Sequence, residues 1–279
     1  MVEQYLIENL YKEMLLMGLI LHLIMFHNTL VLCKRKWNDQ ISIMLMVTIL
    51  MSGFELFWAQ FDGMPELYVL TYIGAIGYAV AFLAFGASFS HFFLQQYGLS
   101  IKNVKLRWAI YTVPIAVFFL FCITTPWTGL VYWIDENGFT QEGILFQTYF
   151  YILLLINILS AIVPSFYYAS SKKYADQTIG KIAKDLVFFS IIAPVVYVIQ
   201  MVFLGVDSEY LALSLACTIA LVYLCNNVNT RLLLESQAKM DAVQNDLRVA
   251  AKIQADALPP VAPEFARAKY RAQSSPCSI

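Results

Sequence analysis

Apolar segments of about 20 residues recur along the chain, and short charged or Gly- and Pro-containing breaks separate them. A helix of that length crosses the hydrocarbon core of a bilayer. The apolar runs place seven spans, near residues 13–33, 41–61, 67–95, 107–125, 144–170, 183–204 and 209–229. Of all residues, 60% are hydrophobic and only 13% are charged, against about 25% charged in soluble domains. A membrane barrel would instead need alternating strands of about 10 residues. The sequence therefore predicts an all-α membrane protein with seven transmembrane helices.

The charged residues between the spans alternate in sign along the chain. The basic breaks carry Lys34, Arg35 and Lys36, then Lys102, Lys105 and Arg107, then Lys172, Lys173, Lys181 and Lys184. The N-terminus and the other breaks carry Glu3, Glu8 and Glu13, then Asp62 and Glu66, then Asp135, Glu136 and Glu142, then Asp207 and Glu209. Basic loops stay in the cytoplasm. We therefore expect a multi-pass protein of the bacterial cell membrane, with its N-terminus outside and its C-terminus inside.

Glu55, in the second span, is the most informative polar residue of the membrane region. A carboxylate there costs about 2.5 kcal/mol or more, so it indicates a functional site. The alternative is a protonated or hydrogen-bonded glutamate that ties helix two to a neighbour. Trp58 and Asp62 follow at i+3 and i+7, on the same helix face. Tyr197 and Gln200, in the outer part of the sixth span, complete the predicted ligand cavity, although helix packing explains them equally well.

Other residues of the spans indicate packing rather than chemistry. His22 and His27 lie five residues apart, which does not place them on one stripe, so hydrogen bonding between helices is favoured over a metal site. A close-packing face is predicted in the third span from the small residues Gly74, Gly77, Ala81 and Ala84. The five cysteines form no CxxC pair and read as small buried hydrophobes.

Several activities are excluded by missing motifs. The seventh span contains no lysine that could form a retinal Schiff base. The chain has no GxxxxGK[ST], HExxH or GxSxG motif, so it shows no complete catalytic site and implies no cofactor or metal of its own. Its net charge of −1 gives no general attraction to nucleic acid.

A charged helix is predicted to continue from the seventh span over residues 231–258. The segment NTRLLLESQAKMDAVQNDLRVAAKIQADAL contains no Gly or Pro and is rich in helix formers. Its heptad stripe consists of Leu233, Ser236, Met240, Val243, Leu247 and Ala250. We expect a cytoplasmic coiled-coil stalk that pairs two copies of the chain and relays a signal, with a solvated amphipathic helix as the alternative. Pro259 and Pro260 end the helix.

The end of this helix, DLRVAAKIQADALPP, resembles the segment that leads into SpoIIE-like serine/threonine phosphatases of the PPM class. The matching residues are Ala250, Ala251, Ile253, Gln254, Leu258, Pro259 and Pro260. The resemblance implies that residues 259–279 begin an output domain whose Gly-Gly-Asp motif, which binds Mn or Mg, would lie further on. We expect that domain, which would act on a phosphoprotein, to be missing from this chain.

The membrane part, residues 1–230, resembles the seven-helix sensor regions that precede histidine kinase, GGDEF or phosphatase domains in bacterial signalling proteins. Three stretches carry the resemblance: MSGFELFWAQFDGMP, PWTGLVYWIDENGFTQEGILFQTYFYI and APVVYVIQMVFLGV. It implies a membrane receptor for an extracytoplasmic or intramembrane stimulus, a small molecule or a lipid, that drives a cytoplasmic output. The small-residue-rich third span departs from the expected pattern, which leaves the ligand open. A small seven-helix transporter and a scaffold that recruits a soluble partner are the alternatives.

Overall fold

The computed structural model describes residues 2–31, 39–174, 178–204 and 213–257, and long helices dominate them. In chain order the helices are α1 (Val2–Val31), α2 (Gln40–Phe61), α3 (Tyr68–Gln96), α4 (Val104–Thr128), α5 (Tyr151–Ser170), α6 (Thr178–Leu204) and α7 (Leu213–Ala257). Two short strands, β1 (Tyr132–Ile134) and β2 (Thr140–Glu142), lie between α4 and α5. Short helical turns occur at Pro65–Leu67, Phe146–Phe150 and Lys172–Tyr174.

Five helices within the described residues are long and apolar enough to cross a membrane. Their spans are Asn9–Val31, Gln40–Phe61, Pro65–Gln96, Val104–Thr128 and Phe146–Ser170. They correspond to the first five predicted spans. The sixth and seventh predicted spans overlap α6 and α7, but many of their side chains lie outside the described residues. A membrane-embedded helical protein is therefore confirmed, while the count of seven spans and their orientation stay predictions.

Local capping residues decide where two of these helices begin. Asp39 precedes α2, and its carboxylate accepts a hydrogen bond from the backbone N–H of Ile41 at 3.4 Å. Asn103 precedes α4, and its Oδ1 accepts from the backbone N–H groups of Lys105 at 3.0 Å and Leu106 at 3.3 Å. These side chains satisfy donors that the first turn of a helix leaves without a partner.

Close packing of α2 against α3 depends on glycine. A Cβ atom at Gly74 would lie 2.7 Å from the Cα of Trp58, and one at Gly77 would lie 2.3 Å from the ring of Phe54. The two helix backbones can approach because these positions have no side chain. Ala75 and Ala79 on the same helix are fully buried. The predicted small-residue packing face is thereby confirmed at Gly74 and Gly77.

A row of aromatic rings fills the space between α3, α4 and α5. Tyr78 stacks on Phe82 with ring centroids 5.9 Å apart, and Phe82 contacts Phe150 at 5.7 Å. Phe150 in turn contacts Phe118 on α4 at 5.8 Å and Phe146 at 4.4 Å. Such ring pairs add stabilisation beyond the area that they bury, so these three helices share one core.

The antiparallel hairpin of β1 and β2 is a feature that the sequence analysis missed. Tyr132 pairs with Glu142, and Ile134 pairs with Thr140. At the turn, Asp135 Oδ1 accepts hydrogen bonds from two backbone N–H groups, those of Asn137 and Phe139, both at 2.9 Å. The membrane region is all-α as predicted, but a small hairpin outside the spans has to be added to that description.

The chain divides into two compact units, Met1–Asn227 and Val228–Ile279. In the second unit the described residues are helical as far as Ala257. Met240, Val243, Leu247 and Ala250 of the heptad stripe are exposed, whereas the side chain of Leu233 lies outside the described residues, as do residues 258–279. The coiled-coil pairing and the start of an output domain therefore stay predictions.

Candidate functional site

Glu55 on α2 lies against α1 and is 2% exposed. Its Oε1 accepts a hydrogen bond from the hydroxyl of Tyr11 on α1 at 3.2 Å. The structure thus shows Glu55 as a tie between α2 and α1, and a role in ligand binding stays a prediction.

Trp58 and Asp62, further along the same face of α2, bind the hairpin. Asp62 Oδ1 accepts hydrogen bonds from the backbone N–H of Thr140 at 2.9 Å and from its hydroxyl at 2.8 Å. The indole N–H of Trp58 donates to the Thr140 Oγ1 at 3.1 Å. We call these three residues the hairpin clamp. Trp58 and Asp62 therefore form a polar cluster with Thr140 of β2, and Glu55 of the predicted face is not part of it.

The break between α2 and α3 packs directly against the turn of the hairpin. The backbone N–H of Gly63 donates to the carbonyl oxygen of Gly138 at 3.0 Å. Gly138 has φ +87°, and a Cβ atom there would lie 2.7 Å from the backbone nitrogen of Pro65. A side chain at position 138 would be strained by this φ and would also push the two segments apart.

Thr125, near the end of α4, holds the other side of the hairpin. Its buried Oγ1 accepts hydrogen bonds from the backbone N–H groups of Val131 at 2.8 Å and Tyr132 at 3.2 Å. The ring of Tyr132 is buried between Trp58 and Phe146, at centroid distances of 6.3 and 4.9 Å. The hairpin is therefore joined to α2, to the break before α3, and to α4.

Burial raises the pKa of the Asp62 carboxyl above its ordinary value of 3.8, and the nearby Asp135 adds to the rise. Hydrogen bonds from Thr140 and Trp58 oppose it, since they stabilise the charged form. With the hairpin docked, Asp62 therefore holds its proton more tightly than it would in water. The folded site is therefore most stable, relative to the unfolded chain, below pH 3.8, and it loses stability as the pH rises through the raised pKa of Asp62.

We expect the backbone N–H of Thr140 to exchange with solvent faster, relative to its intrinsic rate, as the pH rises through that range. Asp62→Asn keeps an acceptor oxygen but cannot ionise, so its Thr140 protection should not vary with pH. Hydrogen exchange of the chain in lipid nanodiscs measures both. An unchanged pH dependence in Asp62→Asn would show that another group controls the docking of the hairpin.

The other predicted site residues are Tyr197 and Gln200. Their side chains lie outside the described residues, although α6 includes both positions. The interhelical hydrogen bonding predicted for His22 is confirmed, because its Nδ1 lies 3.2 Å from Ser52 Oγ on α2. His27 is exposed. Within the part of the chain that the structure describes, no group of three metal-ligating side chains occurs.

Comparison with known proteins assigns the membrane region to a family. A family described as the N-terminal 7TM region of histidine kinase matches residues 14–227, which is most of the chain and nearly all of its first compact unit. No curated protein matches the chain. The apolar helices and this match together identify the chain as a member of the family of N-terminal seven-transmembrane regions of histidine kinases.

Proposed function

We propose that the chain is the stimulus-detecting part of a receptor in the bacterial plasma membrane, and that it drives a cytoplasmic output. The family match over residues 14–227 carries the proposal, because members of this family are the membrane regions of signalling proteins. The match implies a sensing role in signal transduction and leaves the stimulus open. Detection and output are argued separately, from different parts of the chain.

Detection is assigned to the face of α2 that carries Glu55, Trp58 and Asp62, together with Tyr197 and Gln200 of α6. The hairpin clamp supports this assignment, since Trp58 and Asp62 bind a short two-stranded hairpin by side-chain hydrogen bonds. An isolated two-stranded hairpin is only marginally stable, so its position depends on such contacts. A small molecule or a lipid that competes for these bonds would release the hairpin from α2.

A stimulus can move the output only as far as it binds two arrangements of the helices with different affinity. Glu55 supports such a difference. It is buried and accepts a hydrogen bond from Tyr11 on α1. A change in hydrogen bonding or protonation at this carboxyl alters the contact between α1 and α2. That makes it the residue at which binding and helix packing are most directly linked.

We expect Glu55→Gln to change the basal output of the full-length receptor by about fivefold or more, in line with usual coupling energies. The amide keeps the shape of the side chain but cannot ionise. Glu66→Gln is the matched control, because Glu66 is an exposed acid in the break before α3, and its output should stay within about twofold. A phosphorylation-dependent reporter in the native host measures both. Wild-type basal output together with a wild-type response in Glu55→Gln would contradict the detection site.

Output is assigned to a SpoIIE-like serine/threonine phosphatase domain that uses Mn or Mg and acts on a phosphoprotein. Residues 250–260 support it by resembling the segment that leads into such domains. The exposed Met240, Val243 and Leu247 favour a parallel dimer, because they form an apolar stripe that a second copy of the stalk would cover. The matched family, the N-terminal 7TM region of histidine kinase, favours a histidine kinase as the second candidate.

Reading the gene beyond codon 279 distinguishes these outputs. A frame that contains a Gly-Gly-Asp motif would support the phosphatase, and its product should release phosphate from a serine phosphopeptide when Mn is added. A frame that contains a phosphorylatable histidine and an ATP-binding domain would replace the phosphatase by a kinase. A stop codon with no output frame would overturn both and leave the transporter and scaffold hypotheses.

A further inference from the structure

A second polar contact inside the membrane region joins α1, α2 and α7. His22 Nδ1 lies 3.2 Å from the Oγ of Ser52 on α2 and 3.5 Å from the Oγ1 of Thr218 on α7. All three residues are essentially inaccessible to solvent, with exposed fractions of 0%. Buried polar groups of this kind are costly to leave without hydrogen bonds, so the contact stabilises the packing of α1, α2 and α7 at this point.

One ring nitrogen serves two hydroxyl groups in this contact. In either neutral tautomer Nδ1 offers a single strong hydrogen bond, as a donor through its one proton or as an acceptor through its one lone pair. It therefore cannot bond strongly to Ser52 and Thr218 at the same time. The shorter distance shows that Ser52 holds the better bond in this arrangement, with Thr218 at the limit of hydrogen-bond length.

The other ring nitrogen does not anchor the imidazole. His22 Nε2 is buried and has no hydrogen-bond partner among the described residues. The orientation of the ring thus depends on the hydroxyl that Nδ1 bonds. The two hydroxyl groups belong to different helices, Ser52 to α2 and Thr218 to α7.

The contact lies on two of the helices that the Glu55–Tyr11 hydrogen bond joins. Ser52 precedes Glu55 by one helical turn on α2, and Glu55 accepts a hydrogen bond from Tyr11 on α1. Helices α1 and α2 therefore share two polar contacts.

We propose that His22 is the positioning residue of the signal relay, and that its Nδ1 exchanges one hydrogen bond between Ser52 and Thr218. The role as a relay rests on the proposed sensor function, whereas the exchange itself does not. In one arrangement His22 holds α2 and releases α7, and in the other it holds α7 and releases α2. The residue thereby converts a shift of α2 into a shift of α7.

The test compares Ser52→Ala with Thr218→Val in the 279-residue chain in lipid nanodiscs. Nitroxide labels on encoded amino acids at Leu50 and Val222, which are exposed on α2 and α7, report the distance between the helices. Ser52→Ala should shift the populations by about 2- to 10-fold toward the Thr218-bonded packing, and Thr218→Val should shift them by a similar factor in the opposite direction. If the two substitutions only loosened the contact, both would change the distance between α2 and α7 in the same direction.

Ser42→Ala is the matched control, because Ser42 is also a buried serine on α2 but its hydroxyl has no hydrogen-bond partner among the described residues. It should leave the distance distribution unchanged. The ¹⁵N chemical shift of His22 Nδ1 should change in opposite directions in the two test variants and remain unchanged in Ser42→Ala.

Shifts in the same direction, or shifts no larger than that of Ser42→Ala, would overturn the proposal. These measurements need neither a stimulus nor an output domain. Their failure would therefore concern His22 alone, whereas failure of the Glu55 reporter experiment would concern the sensor function.

Discussion

Replacing Gly74 by alanine is expected to force α2 and α3 apart. The new Cβ atom would lie 2.7 Å from the Cα and 2.8 Å from the backbone nitrogen of Trp58. Helix backbone cannot rotate away as a side chain can, so the whole interface has to open. Overpacking of this kind lowers the free energy of unfolding by about 1–3 kcal/mol, occasionally more. We expect the upper part of that range, measured by unfolding in mixed micelles with increasing SDS.

Gly53→Ala provides the matched control on α2. A Cβ atom at Gly53 would meet no other atom within 4 Å. Alanine has a higher helix propensity than glycine by about 1 kcal/mol, so this variant should be neutral or slightly more stable than the wild type. Equal losses of stability in the two variants would show that close approach at Gly74 does not hold the helices together. Because Trp58 belongs to the hairpin clamp, Gly74→Ala should also weaken the docking of the hairpin.

Thr125→Val is expected to release the hairpin from α4. Valine has nearly the same shape, but it removes the oxygen that accepts hydrogen bonds from Val131 and Tyr132. Each buried N–H that loses its partner costs about 1–3 kcal/mol, so the loss of two should lower the local stability by about 2–6 kcal/mol. Hydrogen exchange at the amides of Val131 and Tyr132 measures the loss. The helical spans should keep their protection, since the change leaves the backbone hydrogen bonds of the helices in place.

Thr124→Val is the matched control for that experiment. Thr124 is the preceding residue of α4 and is exposed, and its hydroxyl donates only to the carbonyl oxygen of Phe121 within the same helix, at 2.9 Å. Its substitution should change the exchange of the hairpin amides by less than about twofold. If both threonine variants released the hairpin, the effect would come from the helix end in general and not from the buried oxygen of Thr125.

Long apolar runs made the helices predictable. The second span was expected at 41–61 and is found at Gln40–Phe61, and the third was expected at 67–95 and is found at Tyr68–Gln96. Turn and charge signals interrupt these runs sharply, so their ends are well defined. The hairpin was missed because each of its strands has only three residues. So short a strand shows no alternation of its own, and contacts with Thr125 and Asp62 stabilise it instead.

The candidate site was predictable only where a single residue was unusual. An acid inside a span is costly, which singled out Glu55. Its partner Tyr11 lies 44 residues away and is one of 17 tyrosines, so nothing in the sequence distinguished it. Thr140 is 78 residues from Asp62, and an ordinary threonine in a polar break gives no indication of such a contact. The spacing of Glu55, Trp58 and Asp62 predicts that they share one face of α2. It does not predict which residues that face contacts.

The attachment of the hairpin at three places has a mechanical consequence for the helices that it joins. Thr140 is fastened to the end of α2, Gly138 to the break before α3, and the backbone that enters β1 to Thr125 of α4. Helices pinned together at one end can separate only at the other. A helix of the length of α2 extends about 33 Å, so a tilt of about 2° about the pinned end moves its far end by about 1 Å. A small displacement of a helix beside the hairpin therefore becomes a larger displacement at the opposite end of that helix.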